Sequence, residues 1–219
     1  MDYDEKRERL AERLRYELNL SRKVYEAIKR VPRHLFVPER YKEEAYVDTP
    51  LPIGHGQTIS APHMVAIMCD LLDLKEDDKV LEVGTGCGYH AAVVAEIVGK
   101  KGKVISIEYI PELAERAITI LKALGYDNVE VIVGDGSKGY EKEAPYDKIY
   151  VTAAAPDIPK PLVEQLKPGG KMVIPVGDSV QWLIVVEKDE EGNVKKRNWG
   201  SVRFVPLRGE YGFKSVRYD

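Results

Sequence analysis

Cysteine is almost missing from this chain. Cys69 and Cys87 are the only two in 219 residues, with no CxxC spacing, which argues against a disulfide framework and against a zinc site. Glutamine is nearly as scarce, confined to Gln57, Gln165 and Gln181, whereas Asp, Glu, Lys and Arg supply 32% of the residues. That balance is the one seen in heat-adapted proteins. No apolar run approaches the ~18 residues that a membrane span needs. The densely charged start, Met1 to Arg15, lacks an apolar core followed by a cleavage site, so no membrane partner and a cytoplasmic location are expected. Positive charge is not in excess either: 33 basic against 36 acidic residues leave a net charge of −3. Without a global positive field, nucleic acid is not expected as a partner.

Repeats and low-complexity segments are absent too, and no second composition regime appears, so residues 1–219 read as one folding unit of monomeric size. Leu10, Leu14 and Leu18, then Val24 and Ile28, recur at helical spacing, Ser21 stands where a second helix would be capped, and Pro32 ends this start. Residues 46–59, YVDTPLPIGHGQTI, have neither a helical nor a strand period, and long irregular stretches in compact proteins are commonly functional. Ser60 then opens SAPHMVAIMCDLL as a predicted N-cap, with Pro62 in the first turn.

Beyond residue 76 strand and helix patterns alternate. Strand-like runs occupy 79–83, 103–108, 129–133, 147–152 and 170–176, with helical patterns at 89–98, 111–124 and 159–166. Alternation of this kind specifies an α/β fold, a doubly wound and mostly parallel sheet with crossover helices. The end differs, because 180–188 and 194–207 are joined only by the polar turn DEEGN, which predicts an antiparallel strand pair at one edge. The chain thus divides into an N-terminal helical and substrate-loop region, 1–75, and an α/β core, 76–219.

The strongest local signal is VLEVGTGCGY, 80–89. A buried strand runs into glycines that let a ligand approach the backbone, and a helix follows with its amides facing that ligand. A nucleoside cofactor is implied, although a tight structural turn would use the same residues. The dinucleotide fingerprint GxGxxG is not met, because Tyr89 occupies its last position, which weighs against a nicotinamide-dependent oxidoreductase. Glu108, at the end of the next strand, can accept both hydroxyls of a ribose, or be a solvated strand-end acid. Asp135-Gly136 offers a carboxylate or amide to an adenine edge, and is also a common turn pair.

Together Gly84, Gly86, Gly88, Glu108 and Asp135 resemble the class I S-adenosylmethionine-dependent methyltransferases, in which three strand ends hold methionine, ribose and adenine in turn. Glu82, Thr85, Tyr109 and Gly136, which flank these positions, join the expected cofactor-binding set. After the fourth strand the chain reads TAAAP, 152–156, which lacks the polar residue, prolines and aromatic of base N-methylating enzymes. No Pro-Cys nucleophile and no acidic metal cluster is evident, so the acceptor needs neither covalent activation nor a metal. A carboxylate meets this requirement, since its pKa near 4 leaves it ionised and nucleophilic at neutral pH. A small molecule or RNA acceptor stays open at this point.

Three segments, PLPIGHGQTISAPHMVA (50–66), VLEVGTGCGYHAAVVAE (80–96) and RFVPLRGE (203–210), resemble the protein-L-isoaspartate O-methyltransferases. The resemblance implies transfer of a methyl group from S-adenosylmethionine to the free α-carboxylate of isoaspartyl residues in proteins and peptides, with S-adenosylhomocysteine as product and repair through a succinimide. It implies Ser60 as the active-site residue, Thr58 and Ile59 as the substrate-side wall, and Val205, Pro206 and Leu207 as the holders of the peptide backbone. Read without the resemblance, Ser60 is a plain N-cap. Cys87 stands where Ser is common in the family, and the charged N-terminal extension has no assigned role. His55 and His63 flank the substrate segment and are given no catalytic part, as a lone His there is commonly a structural hydrogen-bonder.

Overall fold

The structure is a computed structural model, and it describes residues 1–214. Two helices, α1 (Tyr3–Leu18) and α2 (Arg22–Arg30), precede two short 3-10 turns. Asp2 caps α1 by accepting from Glu5 N at 2.8 Å, while Ser21 stands at the N-cap of α2 without a side-chain cap bond. Leu10 and Leu14 are buried, as the helical period requires.

Residues 46–59 are less irregular than their sequence suggests. They contain an antiparallel hairpin, β1 (Leu51–Gly54) and β2 (Gln57–Ile59). His55 and Gly56 close it, both in the left-handed region at φ 55° and 70°, as a tight two-residue turn demands. His-Gly is a weak advertisement for such a turn, which is why the period reading passes over it. Helix α3 (Pro62–Leu72) follows, and its N-cap is Ala61, with no side-chain cap bond. The predicted cap at Ser60 is therefore corrected. Asp48 serves the helix start instead, accepting from His63 N and contacting His63 Nδ1, each at 2.9 Å.

The core alternates as predicted: β3 (Lys79–Val83), α4 (Tyr89–Val98), β4 (Lys103–Glu108), α5 (Pro111–Ala123), β5 (Val129–Val133), β6 (Tyr146–Val151), α6 (Lys160–Gln165), β7 (Leu166–Gly177), β8 (Gln181–Lys188) and β9 (Val194–Val202). These seven strands form one sheet in the order β5-β4-β3-β6-β7-β8-β9. The first five are parallel, and β8 pairs antiparallel with both β7 and β9. Order reverses between β3 and β6, so a crevice opens at the carboxyl ends of these strands, where ligands of open α/β sheets bind.

Period-2 alternation sends neighbouring residues to opposite faces. Val80, Val104, Val173 and Val185 pack with α1 to α4, whereas Leu81, Ile105, Ile149 and Met172 pack beneath with Leu162 of α6. The strand read over 194–207 ends at Val202. Residues 203–207 leave the sheet edge and cross to the end of β6, where Ala154 N donates to Val205 O and Leu207 N to Ala154 O, both at 2.8 Å. That crossing lays a loop over the crevice.

Candidate active site

Three clefts meet above the carboxyl ends of β3, β4 and β6. The first, enclosing about 550 Å³ including space open to solvent, lies between Gly84, Gly86, Glu108, Tyr109, Gly136 and the crossing segment Val205–Arg208. A second, smaller one of about 320 Å³ lies between Ile59, Ser60, Gly84 to Cys87 and His90. The third is an open groove of about 1760 Å³, bounded by Pro50, Ser60, His63 and Met64 on one side and by 178–181 and 201–206 on the other. Thr58 and Thr152 border all three.

Glu108 sits at the centre of the first cleft. Its Oε1 accepts from Gly86 N at 2.8 Å and its Oε2 from Ile110 N at 2.9 Å, so two amides fix the carboxylate while lone pairs remain for a diol. Burial raises its pKa, and those amides with the nearby Arg208 guanidinium oppose the rise. Gly84, at φ 100°, could not be replaced without strain, since an added Cβ would stand 2.2 Å from Thr152 Oγ1. Thr152 Oγ1 in turn donates to Gly84 O at 2.6 Å, tying the glycine turn to the end of β6.

Several expected contacts fall elsewhere. Glu82, expected against the cofactor, is fully buried and lines none of the three clefts. In register with it stand Ser106 and Tyr150 on the flanking strands, and both hydroxyls donate to its carboxylate. Desolvation pushes Glu82 up to about 8 against the pull of those two bonds. Thr85 extends this row through a 2.5 Å bond to Ser106 Oγ and reaches only the smaller cleft. Gly88 is the N-cap of α4, and its missing side chain makes room for Leu121 and Ala117 of α5, not for a ligand. Asp135 does not line the first cleft, although Gly136 does. Its Oδ1 accepts from Ser137 N and Oγ at 3.0 and 2.6 Å, and its Oδ2 from Glu210 N at 2.9 Å, so the carboxylate organises the loop that carries Gly136.

On the substrate side, Ile59 is buried in the core, while Thr58 and Ser60 face the groove. Pro62 has no amide to offer and His63 N is taken by Asp48, so α3 presents fewer free donors than its position suggests. Leu207 N is spent on Ala154 O, and Val205 O already accepts from Ala154 N, so of these two only the second lone pair of Val205 O remains for a peptide main chain. The contributors that sequence reasoning missed are Gln57, Thr152, Ala153 and Arg208 in the first cleft and Gln181 beside the groove. Gln181 acts as a surrogate strand: Oε1 accepts from Phe204 N at 2.7 Å and Nε2 donates to Phe204 O at 3.0 Å. His90 lines the small cleft, and its buried Nδ1 has no partner.

A glycine turn after β3, a fixed carboxylate after β4 and Gly136 after β5 around one cleft, on a sheet ending in antiparallel strands, define an S-adenosylmethionine-dependent methyltransferase. The comparisons with known proteins carry this further. The profile of the Protein-L-isoaspartate(D-aspartate) O-methyltransferase family matches residues 5–212, and the chain belongs to that family. It is 91% identical over 219 residues to Protein-L-isoaspartate O-methyltransferase 2 of Archaeoglobus fulgidus, covering 100% of both chains. It is 62% identical over 211 residues to the Protein-L-isoaspartate O-methyltransferase of Methanopyrus kandleri, covering 95% of this chain and 93% of that one. A solved protein-L-isoaspartate O-methyltransferase superposes with a TM-score of 0.88 at 30% identity, over 94% of this chain and 67% of its own. A Plasmodium falciparum chain assigned as a beta-aspartate methyltransferase, solved with S-adenosyl-L-homocysteine, gives 0.81 at 30% identity over 92% and 98%.

Proposed function

We propose that this chain transfers the methyl group of S-adenosylmethionine to the free α-carboxylate of L-isoaspartyl residues in polypeptides, with the first cleft for the nucleoside and the open groove for the polypeptide. The observation that carries this reading is the junction at Thr58 and Thr152, the two residues common to all three clefts. An acceptor lying in the groove reaches the donor's cleft there, where the wall is continued by Val205 and Pro206, which the groove and the first cleft share. The groove is also the largest of the three clefts. Both halves of the site come from one chain, so a monomer suffices, and no helix among the described residues is long and apolar enough to cross a membrane.

S-adenosylmethionine, when bound, supplies an electrophilic methyl on a sulfonium. Glu108 would hold the ribose hydroxyls, Gly84 and Gly86 would admit the chain of the cofactor close to the backbone, and Gly136 would border the adenine. Ser60 Oγ donates to one oxygen of the acceptor carboxylate, and the other oxygen, already ionised, attacks without a general base. The bound cofactor would supply the methyl electrophile, with its C–S electron pair left on sulfur as the acceptor oxygen takes the methyl. Holding the two partners in line can supply on the order of 7–11 kcal/mol. The resulting ester carries methoxide, a far better leaving group than the oxide of a carboxylate, so the next backbone nitrogen closes a succinimide with loss of methanol, and hydrolysis returns part of it as normal aspartate.

The test is radiolabelled methyl transfer onto matched peptides that differ only in Asp against isoAsp. Incorporation confined to the isoAsp peptide is expected, and equal labelling of both would overturn the assignment.

A further inference from the structure

Helix α4 opens at Gly88 in the left-handed region and carries His90 as its second residue, against the small cleft between Ser60 and the glycine turn. The side chain is 7% exposed, and its Nδ1 is buried with no partner in the protein. Orphaned polar atoms of this kind are rare in folded interiors and mark places where a ligand or a water completes the bond.

The other ring nitrogen decides what Nδ1 can offer. Nε2 stands 3.5 Å from Cys69 Sγ. Cys69 is fully buried, and desolvation pushes its thiol well above the ordinary range, so the sulfur keeps its proton. A thiol sulfur accepts poorly while an imidazole lone pair accepts well, hence Cys69 S–H donates to Nε2. Burial also holds His90 down to about 3, so the ring is neutral at physiological pH and carries a single proton. With Nε2 accepting, that proton is on Nδ1. Tyr150 braces the ring at 4.3 Å between centroids, and is itself fixed by Glu82.

We propose that His90 Nδ1–H donates a hydrogen bond to the carboxylate of the methionyl tail of S-adenosylmethionine, which makes His90 a positioning residue for the methyl donor. This rests on the cofactor placement proposed above. With the ribose at Glu108, the tail extends past Gly84 and Gly86 into the small cleft, which those two glycines share with the first. Its carboxylate is the cofactor's only anion. The N-terminus of α4 favours an anion at this point, and a neutral donor fixes it without a second cation that would repel the sulfonium.

Titration calorimetry with two ligands separates this role from packing. S-adenosylhomocysteine carries the tail, and 5′-methylthioadenosine has the same nucleoside and sulfur without it. His90→Leu is expected to weaken S-adenosylhomocysteine about tenfold and 5′-methylthioadenosine by less than about twofold. His90→Gln, which keeps an N–H, is expected to recover part of the loss. Undiminished binding of S-adenosylhomocysteine to His90→Leu, or equal weakening of both ligands, would overturn the proposal. Should His90→Leu fail to fold, nitrogen-15 spectra of the wild type decide: Nδ1 is expected to be protonated, and to shift with S-adenosylhomocysteine but not with 5′-methylthioadenosine. A ring protonated at Nε2, or an Nδ1 indifferent to S-adenosylhomocysteine, would overturn it. Wild-type protein that binds neither ligand would overturn the cofactor placement and this inference together.

Discussion

The proposed cofactor cleft takes half of its wall from successive strand ends within residues 83–136, whereas the groove beside it gathers 50–64, 178–181 and 201–206 from opposite ends of the chain. The first is framed by backbone: glycines at positive φ, two amides on Glu108, and a parallel register that brings Val83, Ile107 and Val151 to one edge. The second is framed by side chains acting at a distance, such as Asp48 on α3 and Gln181 on Phe204. Damage to the groove should therefore alter catalysis and peptide affinity while cofactor binding survives. Damage to the cleft should remove the cofactor first.

The largest effect expected is at Ser60. Because it is not the cap of α3 and lies on the groove wall, Ser60→Ala should slow single-turnover methylation of an isoAsp peptide by about a hundredfold, as misplacement of a reacting group can. Thermal unfolding and S-adenosylmethionine affinity should stay at wild-type values. A lowered melting temperature with unchanged turnover would instead return Ser60 to a structural role.

On the other side of the comparison, Glu108→Ala should weaken S-adenosylhomocysteine by about 1.5–3 kcal/mol, the range for hydrogen bonds to a charged group. Calorimetry that found no loss would remove Glu108 from the site. The peptide groove should be indifferent to this change, and a peptide KM raised with cofactor saturating would blur the division drawn here.

Below both clefts, the buried row at Glu82 makes stability depend on pH. Glu82 is held up to about 8 in the fold against an ordinary value of 4.5. The unfolded chain thus releases its proton first, and stability falls as pH rises through that interval. His90, held down to about 3, works in the opposite direction, adding stability as pH rises from 3 to its ordinary 6.5. Between pH 6.5 and 8 only the Glu82 slope remains of these two, roughly 2 kcal/mol at about 1.4 kcal/mol per pH unit. Denaturant unfolding across that window should show the decline in wild type and its absence in Glu82→Gln. A slope retained by the variant would assign it to another group.

The smallest effect is at Gln181. Gln181→Ala releases both main-chain groups of Phe204 at a cost of about 1 kcal/mol. Peptide KM should rise severalfold while S-adenosylhomocysteine affinity holds, and a loss of cofactor binding would mean that the two regions are not separable.

The same contrast explains what could be read from sequence. Strand, glycine turn and helix are contiguous in 79–98, so local pattern reports them faithfully, and α4 falls on the residues its periodicity predicts. Side chains whose direction depends on neighbouring strands are harder to read. Glu82 differs from a ligand-facing acid only by the face it takes in the pleat, and Asp135 is claimed by Glu210 and Ser137, the first of them far along the chain. Thr152 could have been found from the rule that ligands gather at the carboxyl ends of strands, since it directly follows β6. Arg208 and Gln181 left no local signal, because they act only once 203–207 has crossed to Ala154.

The most direct test of the junction between the two regions is a crystal structure with S-adenosylhomocysteine and an isoAsp peptide bound together. The homocysteine sulfur is expected beside Thr58 and Thr152, with the isoaspartyl carboxylate in hydrogen-bond reach of Ser60 Oγ and the peptide running along 201–206. A carboxylate seated away from Ser60, or a peptide outside the groove, would contradict it.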